Sequence, residues 1–294
     1  MYENIVVAFD GFDFSRAALQ QSAKWVRTHG GRITLLHAVF FDEQEFAIAP
    51  DQRETRFEFG KKICLQTKSF ASAELGLNGN LEALICEGEP HEVIVDVAAA
   101  RKADLIAMGT HGSKGLKKLI MGSVASKVIR IAPCDVLVAK KPCDCPGNYR
   151  SILCSYDGTE YSKKALAKAC EIARIEGAGV TALYVIPRYE EMVEFFRSGV
   201  IRENLRHDAN KIVQGAVDIA RKSGVGINTE IAEGNAPDGI IETAKKIRSD
   251  LVVIGTHGWS GINKAIIGSV AEDVIVGAPC PVLIVRQTKS EAIK

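Results

Sequence analysis

ADLIAMGTHGSKGLKKLIMGSVASKVIRIAPCDVLVAK runs from Ala103 to Lys140, and SDLVVIGTHGWSGINKAIIGSVAEDVIVGAPCPVLIVR runs from Ser249 to Arg286. From Gly109 to Lys140, 18 of 32 positions equal their counterparts in Gly255 to Arg286. A chain that repeats itself at so long a period carries a duplicated domain, not a solenoid unit. Each stretch holds a short apolar run, a glycine-bearing turn, a helical pattern and a second apolar run. Short apolar runs of this kind suit strands buried on both faces of a parallel sheet.

The match extends toward both ends. NIVVAFDGFDFSRAAL from Asn4 pairs with SILCSYDGTEYSKKAL from Ser151, an offset of 147, and EGEPHEVIVDVAAARKAD from Glu87 pairs with EGNAPDGIIETAKKIRSD from Glu233, an offset of 146. The spacing thus changes by one residue between them, in the variable stretch after Val39. The polar segment KKPCDCPGNYR, Lys140 to Arg150, has two prolines and a glycine and reads as the linker. The expected domains are residues 1–144 and 145–294. In the first copy the runs Ile5–Phe9, Ile33–Val39, Leu81–Cys86, Asp104–Met108 and Val136–Ala139 read as five strands. After Ser15, taken as an N-cap, Leu19, Ala23 and Val26 share a helical face, and Ser162, Leu166, Cys170 and Ala173 repeat this. Strands alternating with helices predict an α/β fold: two tandem, doubly wound, Rossmann-like domains, each with a parallel five-stranded sheet. Ligands of such sheets sit beyond the carboxyl ends of the strands, at the point where strand order reverses.

Bulk properties narrow the function. The chain has 294 residues, 47% hydrophobic and 25% charged, as a globular protein does. Thirty-seven basic residues nearly cancel 36 acidic ones, so no strong field favours nucleic acid or an anionic membrane. No apolar run approaches a membrane span, and the N-terminus lacks a signal-peptide pattern. The expectation is a cytoplasmic protein with reduced thiols.

Three features fall on the carboxyl edge. Asp10 and Asp157 end the first strands. Met108-Gly109-Thr110-His111-Gly112 and Ile254-Gly255-Thr256-His257-Gly258 end the fourth. After nine intervening residues, Gly112 and Gly258 are followed by Gly122-Ser123-Val124-Ala125 and Gly268-Ser269-Val270-Ala271, each opening a helix. Glycine lets a phosphate approach the backbone closely. The first N–H groups of a helix lack internal partners, and with the helix dipole they favour an anion. Ser123 and Ser269 add hydroxyl donors, while an ionised Asp10 or Asp157 accepts from an amine or hydroxyl at the nucleoside end.

The pattern Gly-two-Gly-nine-Gly-Ser resembles the nucleotide-binding signature of ATP-binding universal stress proteins. The resemblance spans nearly the whole chain, twice. It implies the adenine nucleotide alpha hydrolase-like fold with strand order 3-2-1-4-5. It places Asp10 and Ala38 near adenine and ribose, Met108, Gly109 and Gly112 along the ribose and phosphate path, and Gly122, Ser123 and Val124 at the phosphates. The second-copy counterparts are Asp157, Val185, Ile254, Gly255, Gly258, Gly268, Ser269 and Val270. It further implies a regulatory role in stress survival with slow ATP hydrolysis at most. Bound ATP, ADP or AMP would bring Mg²⁺ to balance its phosphate charge. The two copies are expected to pair through their last strands as a pseudo-dimer, with a further homodimer possible. Ala38 is smaller than the valine expected there, which predicts a looser first adenine pocket.

Other readings compete. A genuine Mg-dependent ATPase or nucleotide-transfer enzyme would need a base and nucleophile that the spacing does not supply, and GxxxxGK[ST] is missing. A receiver domain would need an aspartate where Glu87-Gly88 and Glu233-Gly234 end the third strand. A dehydrogenase would need GxGxxG where DGFDFS stands. His111 and His257 read as turn residues before general bases. Cys143 and Cys145 lack a second pair of ligands for a structural zinc site. Phe57, Phe59, Phe195 and Phe196 read as core packing before a partner surface.

Overall fold

The computed structural model describes residues 2–40, 52–77, 79–110, 121–140, 149–187, 199–256 and 268–286. The chain forms two compact units, Met1–Gly147 and Asn148–Lys294. The first unit runs β1 (Asn4–Ala8), α1 (Asp13–His29), β2 (Arg32–Val39), α2 (Gln52–Glu74), β3 (Leu81–Glu87), α3 (Pro90–Ala100), β4 (Leu105–Gly109), α4 (Ser123–Ile131) and β5 (Asp135–Ala139). The second runs β6 (Ser151–Ser155), α5 (Glu160–Glu176), β7 (Gly179–Pro187), α6 (Gly199–Lys222), β8 (Ile227–Gly234), α7 (Ala236–Lys246), β9 (Leu251–Gly255), α8 (Ser269–Gly277) and β10 (Val282–Val285).

In the first unit the strands lie in the order β3-β2-β1-β4-β5, and in the second β8-β7-β6-β9-β10. Every pairing within each unit is parallel. The chain winds outward from β1 through β2 to β3, then crosses back to β4 and β5. Right-handed crossovers therefore put α1 and α2 on one face and α3 and α4 on the other. The centre of each sheet is the core. Val7, Ile106, Val136 and Val138 are fully buried, as are Leu153, Val252, Val282 and Ile284.

The edge opposite the strand ends is closed by one aspartate per unit. Asp104 accepts from the backbone N–H of Glu3 at 2.7 Å and of Asn4 at 3.2 Å. Asp250 accepts from Arg150 at 2.7 Å and Ser151 at 3.1 Å. Burial pushes the Asp104 carboxyl above its usual range, outweighing the lowering effect of its backbone bonds.

Three expectations change. Ser15 and Ser162 are not N-caps; α1 and α5 begin earlier, with Phe12 and Thr159 in the cap position. The cause is the Asp-Gly turn, where Gly11 (φ +87°) and Gly158 (φ +82°) hold the left-handed conformation that favours glycine. Phe59 is not core, being 56% exposed on α2; Phe195 and Phe196 lie outside the described residues. The one-residue change in offset is the net of two changes. Ile63 of α2 packs toward Gly11 and Ile212 of α6 toward Gly158, so the long helices are offset by 149. Two residues are gained before that helix and three lost after it. Among the described residues no helix is long and apolar enough to cross a membrane.

Candidate functional site

The first strand delivers its aspartate to the edge and the next turn fixes it there. Asp10 Oδ1 accepts from Phe12 N at 3.0 Å and from Ser15 Oγ at 2.7 Å, while Ser15 Oγ also accepts from Asp10 N at 3.3 Å. The carboxylate is thereby locked across the start of α1 through one oxygen. In the second unit Thr159 takes over this role. Asp157 Oδ1 accepts from Thr159 N at 3.0 Å and Thr159 Oγ1 at 2.6 Å, and Asp157 N donates to Ser162 Oγ at 3.2 Å. Thr159 Oγ1 also accepts from Ser162 N as the helix cap.

Strand register places the neighbours. Ala8 pairs with Leu36, so Asp10 and Ala38, each two residues further on, project to the same face. Ala38 pairs with Cys86, and Val7 pairs with Ala107, which puts Met108 on that face as well. It is the face covered by α3 and α4. In the second unit Val185 pairs with Ala232, and Ile254 with Ile284. Met108 and Ile254 are buried; Asp10, Ala38, Asp157 and Val185 are half-buried.

The fourth strand meets the second glycine turn through Thr110. Thr110 N donates to Ala139 O at 3.1 Å, and Gly122 N donates to Thr110 O at 2.9 Å. In the second unit Gly268 N approaches Thr256 O at 3.5 Å. These bonds hold the starts of α4 and α8 beside the strand ends. Both helices lack a side-chain cap, and Gly122 and Gly268 occupy the cap position. Among the described residues the N–H groups of Ser123, Val124, Ser269 and Val270 have no partner. The hydroxyl-bearing Ser123 and Ser269 are exposed. Each unit therefore has unspent donors and a positive helix end at its carboxyl edge.

The glycines differ in what they are for. A β-carbon at Gly109 would stand 2.6 Å from Phe14 Cβ and 2.9 Å from Phe14 C; one at Gly255 would stand 2.9 Å from Tyr161 C. Both let α1 or α5 press against the end of β4 or β9, on the face away from Asp10. Packing alone thus requires them. Gly268 has φ −60°, allowed to any residue. Among the described residues its β-carbon would meet only Thr256 O, at 3.9 Å. Among the described residues, neither backbone strain nor packing calls for glycine at this helix start. Gly112, Gly258, His111, His257, Cys143 and Cys145 lie outside the described residues.

Residues without a predicted site role join this edge: Thr110 and Thr256 as carbonyl anchors, Gly11 and Gly158 as turn formers, and Ser15 as a carboxylate donor. Their signal was their repetition in both copies beside the aspartate and the second glycine turn. The buried thiols stand apart. Burial pushes Cys64 and Cys170 up to about 11 and raises Cys154 further still. Among the described residues no cluster of three or more His, Cys, Asp or Glu side chains is placed to hold a metal ion.

Comparison with known proteins gives one result for both units. The family model described as the universal stress protein family matches residues 1–140 and again 148–286. A universal stress protein of Methanocaldococcus jannaschii is 36% identical over 146 residues, covering 49% of this chain and 85% of that one. A universal stress protein of Thermus aquaticus is 34% identical over 144 residues, 48% of this chain and 100% of that one. Over almost the full length, a universal stress protein structure from Archaeoglobus fulgidus superimposes with a TM-score of 0.70 at 17% identity. It covers 96% of this chain and 98% of that one, and shows the shared fold. The chain belongs to the universal stress protein family and carries two tandem copies of its domain.

Proposed function

We propose that each unit binds an adenine nucleotide (ATP, ADP or AMP) and that occupancy serves a regulatory role in the stress response, with at most slow ATP hydrolysis. One observation carries the reading. The uncapped start of α4, and again of α8, is tied to the end of β4 or β9, so that unpartnered N–H groups lie at the carboxyl edge that also holds Asp10 or Asp157. Such a helix start accepts phosphate oxygens. The carboxylate, held in place by its own turn, has acceptor capacity for a ribose hydroxyl or base amine.

In this reading Gly122, Ser123 and Val124, with Gly268, Ser269 and Val270, receive the phosphates. Met108, Gly109 and Gly112, with Ile254, Gly255 and Gly258, run along the ribose and phosphate path. Asp10 and Ala38, with Asp157 and Val185, hold the nucleoside. Mg²⁺ arrives with the nucleotide, bound by phosphate oxygens. A bound ligand shifts a conformational or assembly equilibrium only through different affinities for the two states. That equilibrium is proposed to be homodimerisation or the docking of a protein partner.

The test is to release bound small molecules from freshly purified protein by heat, identify them by mass, and measure phosphate production from Mg-ATP. Adenine nucleotide in the supernatant with turnover far below about one per second fits a regulatory binder. Sustained turnover above that rate would make the protein an enzyme and overturn the regulatory reading.

A further inference from the structure

Ala38 lacks the side-chain bulk that Val185 supplies in the second unit. In the second unit Val185 faces α7 directly: a β-carbon at Gly239 would lie 3.1 Å from Val185 Cγ2, 3.4 Å from Val185 Cγ1 and 3.6 Å from Ala232 Cβ. The helix is bare at that point and the strand supplies the bulk. The first unit reverses the arrangement. Gly239 corresponds to Val93 on α3, Val185 to Ala38, and Ala232 to Cys86. Val93 leans over the end of β3, where a β-carbon at Gly88 would stand 2.9 Å from Val93 Cγ2. At the matching Gly234 nothing lies within 4 Å. Gly88 and Gly234 share nearly the same left-handed φ, +140° and +135°, so the backbone is the same and only the filling differs.

We propose that Val93 sets base specificity in the first unit, taking the wall position that Val185 holds in the second. The inference rests on the nucleotide reading above and extends it, since it names a residue on a helix that the glycine signature does not include. A wall built from β7 is fixed by strand register on both sides. A wall built from the first turns of α3 is carried by a helix whose N-cap, Glu89, makes no side-chain capping bond. The two sites therefore enclose the base with similar volume from different elements. Discrimination between adenine and guanine in the first unit responds to Val93, and in the second to Val185.

The experiment is a cycle of four full-length proteins in a Gly268→Val background that silences the second site: the parent, Val93→Gly, Ala38→Val, and both together. Each is titrated with Mg-ATP and Mg-GTP and melted without ligand. Ala38→Val alone crowds Val93 and weakens ATP binding about tenfold. Val93→Gly alone enlarges the pocket and reduces the ATP-over-GTP preference about tenfold. The double variant, which recreates the second unit's pairing, returns to within about threefold of the parent in both respects. Val93→Ala, which keeps helix propensity, gives the preference change if glycine unsettles α3.

Effects that multiply without rescue would overturn the exchange of volumes. Altered melting with an unchanged ATP-over-GTP preference in Val93→Ala would make Val93 structural only. No binding by the Gly268→Val parent, where the unaltered chain binds once, would place the site in the second unit alone and overturn the proposal. No binding by the unaltered chain would overturn the nucleotide reading itself and the proposal with it; the melting cycle would still decide the packing exchange.

Discussion

In the first unit the turn after β1 reads Asp10-Gly11-Phe12, and in the second Asp157-Gly158-Thr159. The glycines share one left-handed conformation, and both aspartates use Oδ1 to bind the backbone N–H two residues on. The third residue differs. The Thr159 side chain caps α5 and binds the aspartate, whereas the Phe12 side chain does neither and the residue is 47% exposed. The same division recurs elsewhere. Backbone anchors repeat, as in Thr110 and Thr256 or Asp104 and Asp250, while the atoms that fill and cap have been exchanged. Exposed large apolar side chains follow suit: among the described residues Phe12, Phe40, Phe59, Leu65, Phe70 and Ile131 all belong to the first unit. Duplication has kept the frame of the edge in both units and let the surroundings diverge.

The comparison breaks most visibly at the helix starts. Gly122→Val and Gly268→Val each place a side chain where phosphate is proposed to sit, at a backbone φ that valine accepts. Each variant loses one of two binding events, with affinity at that site falling at least about a hundredfold by loss of charge-assisted hydrogen bonds. Calorimetric stoichiometry reads this directly, and unchanged melting shows the fold intact. Two events surviving in the double variant would sink the assignment.

Gly109→Ala and Gly255→Ala act by another route. Their β-carbons collide with α1 or α5, and overpacking costs ~1–3 kcal/mol, seen as a lower melting temperature whether or not nucleotide is present. Stability unchanged in both would mean that the helices yield easily.

Thr159→Ala removes a cap that the first unit never had and destabilises the second unit by ~1 kcal/mol. Phe12→Thr installs one and raises stability by a similar amount. Urea unfolding measures both, and equal effects of opposite sign are expected.

Least is expected of Glu272, in the first turn of α8 where Ser126 stands in α4. A carboxylate beside a bound phosphate opposes it, so Glu272→Ser tightens second-site binding by up to about fivefold, the equivalent of ~0.3–1 kcal/mol. Titration at low and high salt checks this, because screening shrinks the gain.

Much of the architecture was legible in the chain because it is written twice. Alternating apolar runs and helical patterns gave both parallel sheets, and the resemblance gave their strand order. The edge was legible to the extent that strand ends and helix starts announce themselves by aspartate and glycine. What stayed hidden depends on contacts across the fold. Ser15 looked like a cap because the Asp-Gly turn that starts the helix earlier is a φ effect at Gly11. Gly109 looked like a ligand contact, yet the helix packed behind it needs the same glycine. Ala38 looked like an empty place because the filler proposed for it, Val93, comes from another element. The shifted register of α2 against α6 was invisible because only the buried faces of those helices correspond.

The central claim is that both units bind an adenine nucleotide, and the most direct measurement is calorimetric titration of Mg-ATP into nucleotide-stripped protein. The account predicts close to two nucleotides bound per chain, with distinguishable affinities. No binding, together with no nucleotide released from the freshly purified protein, would contradict it.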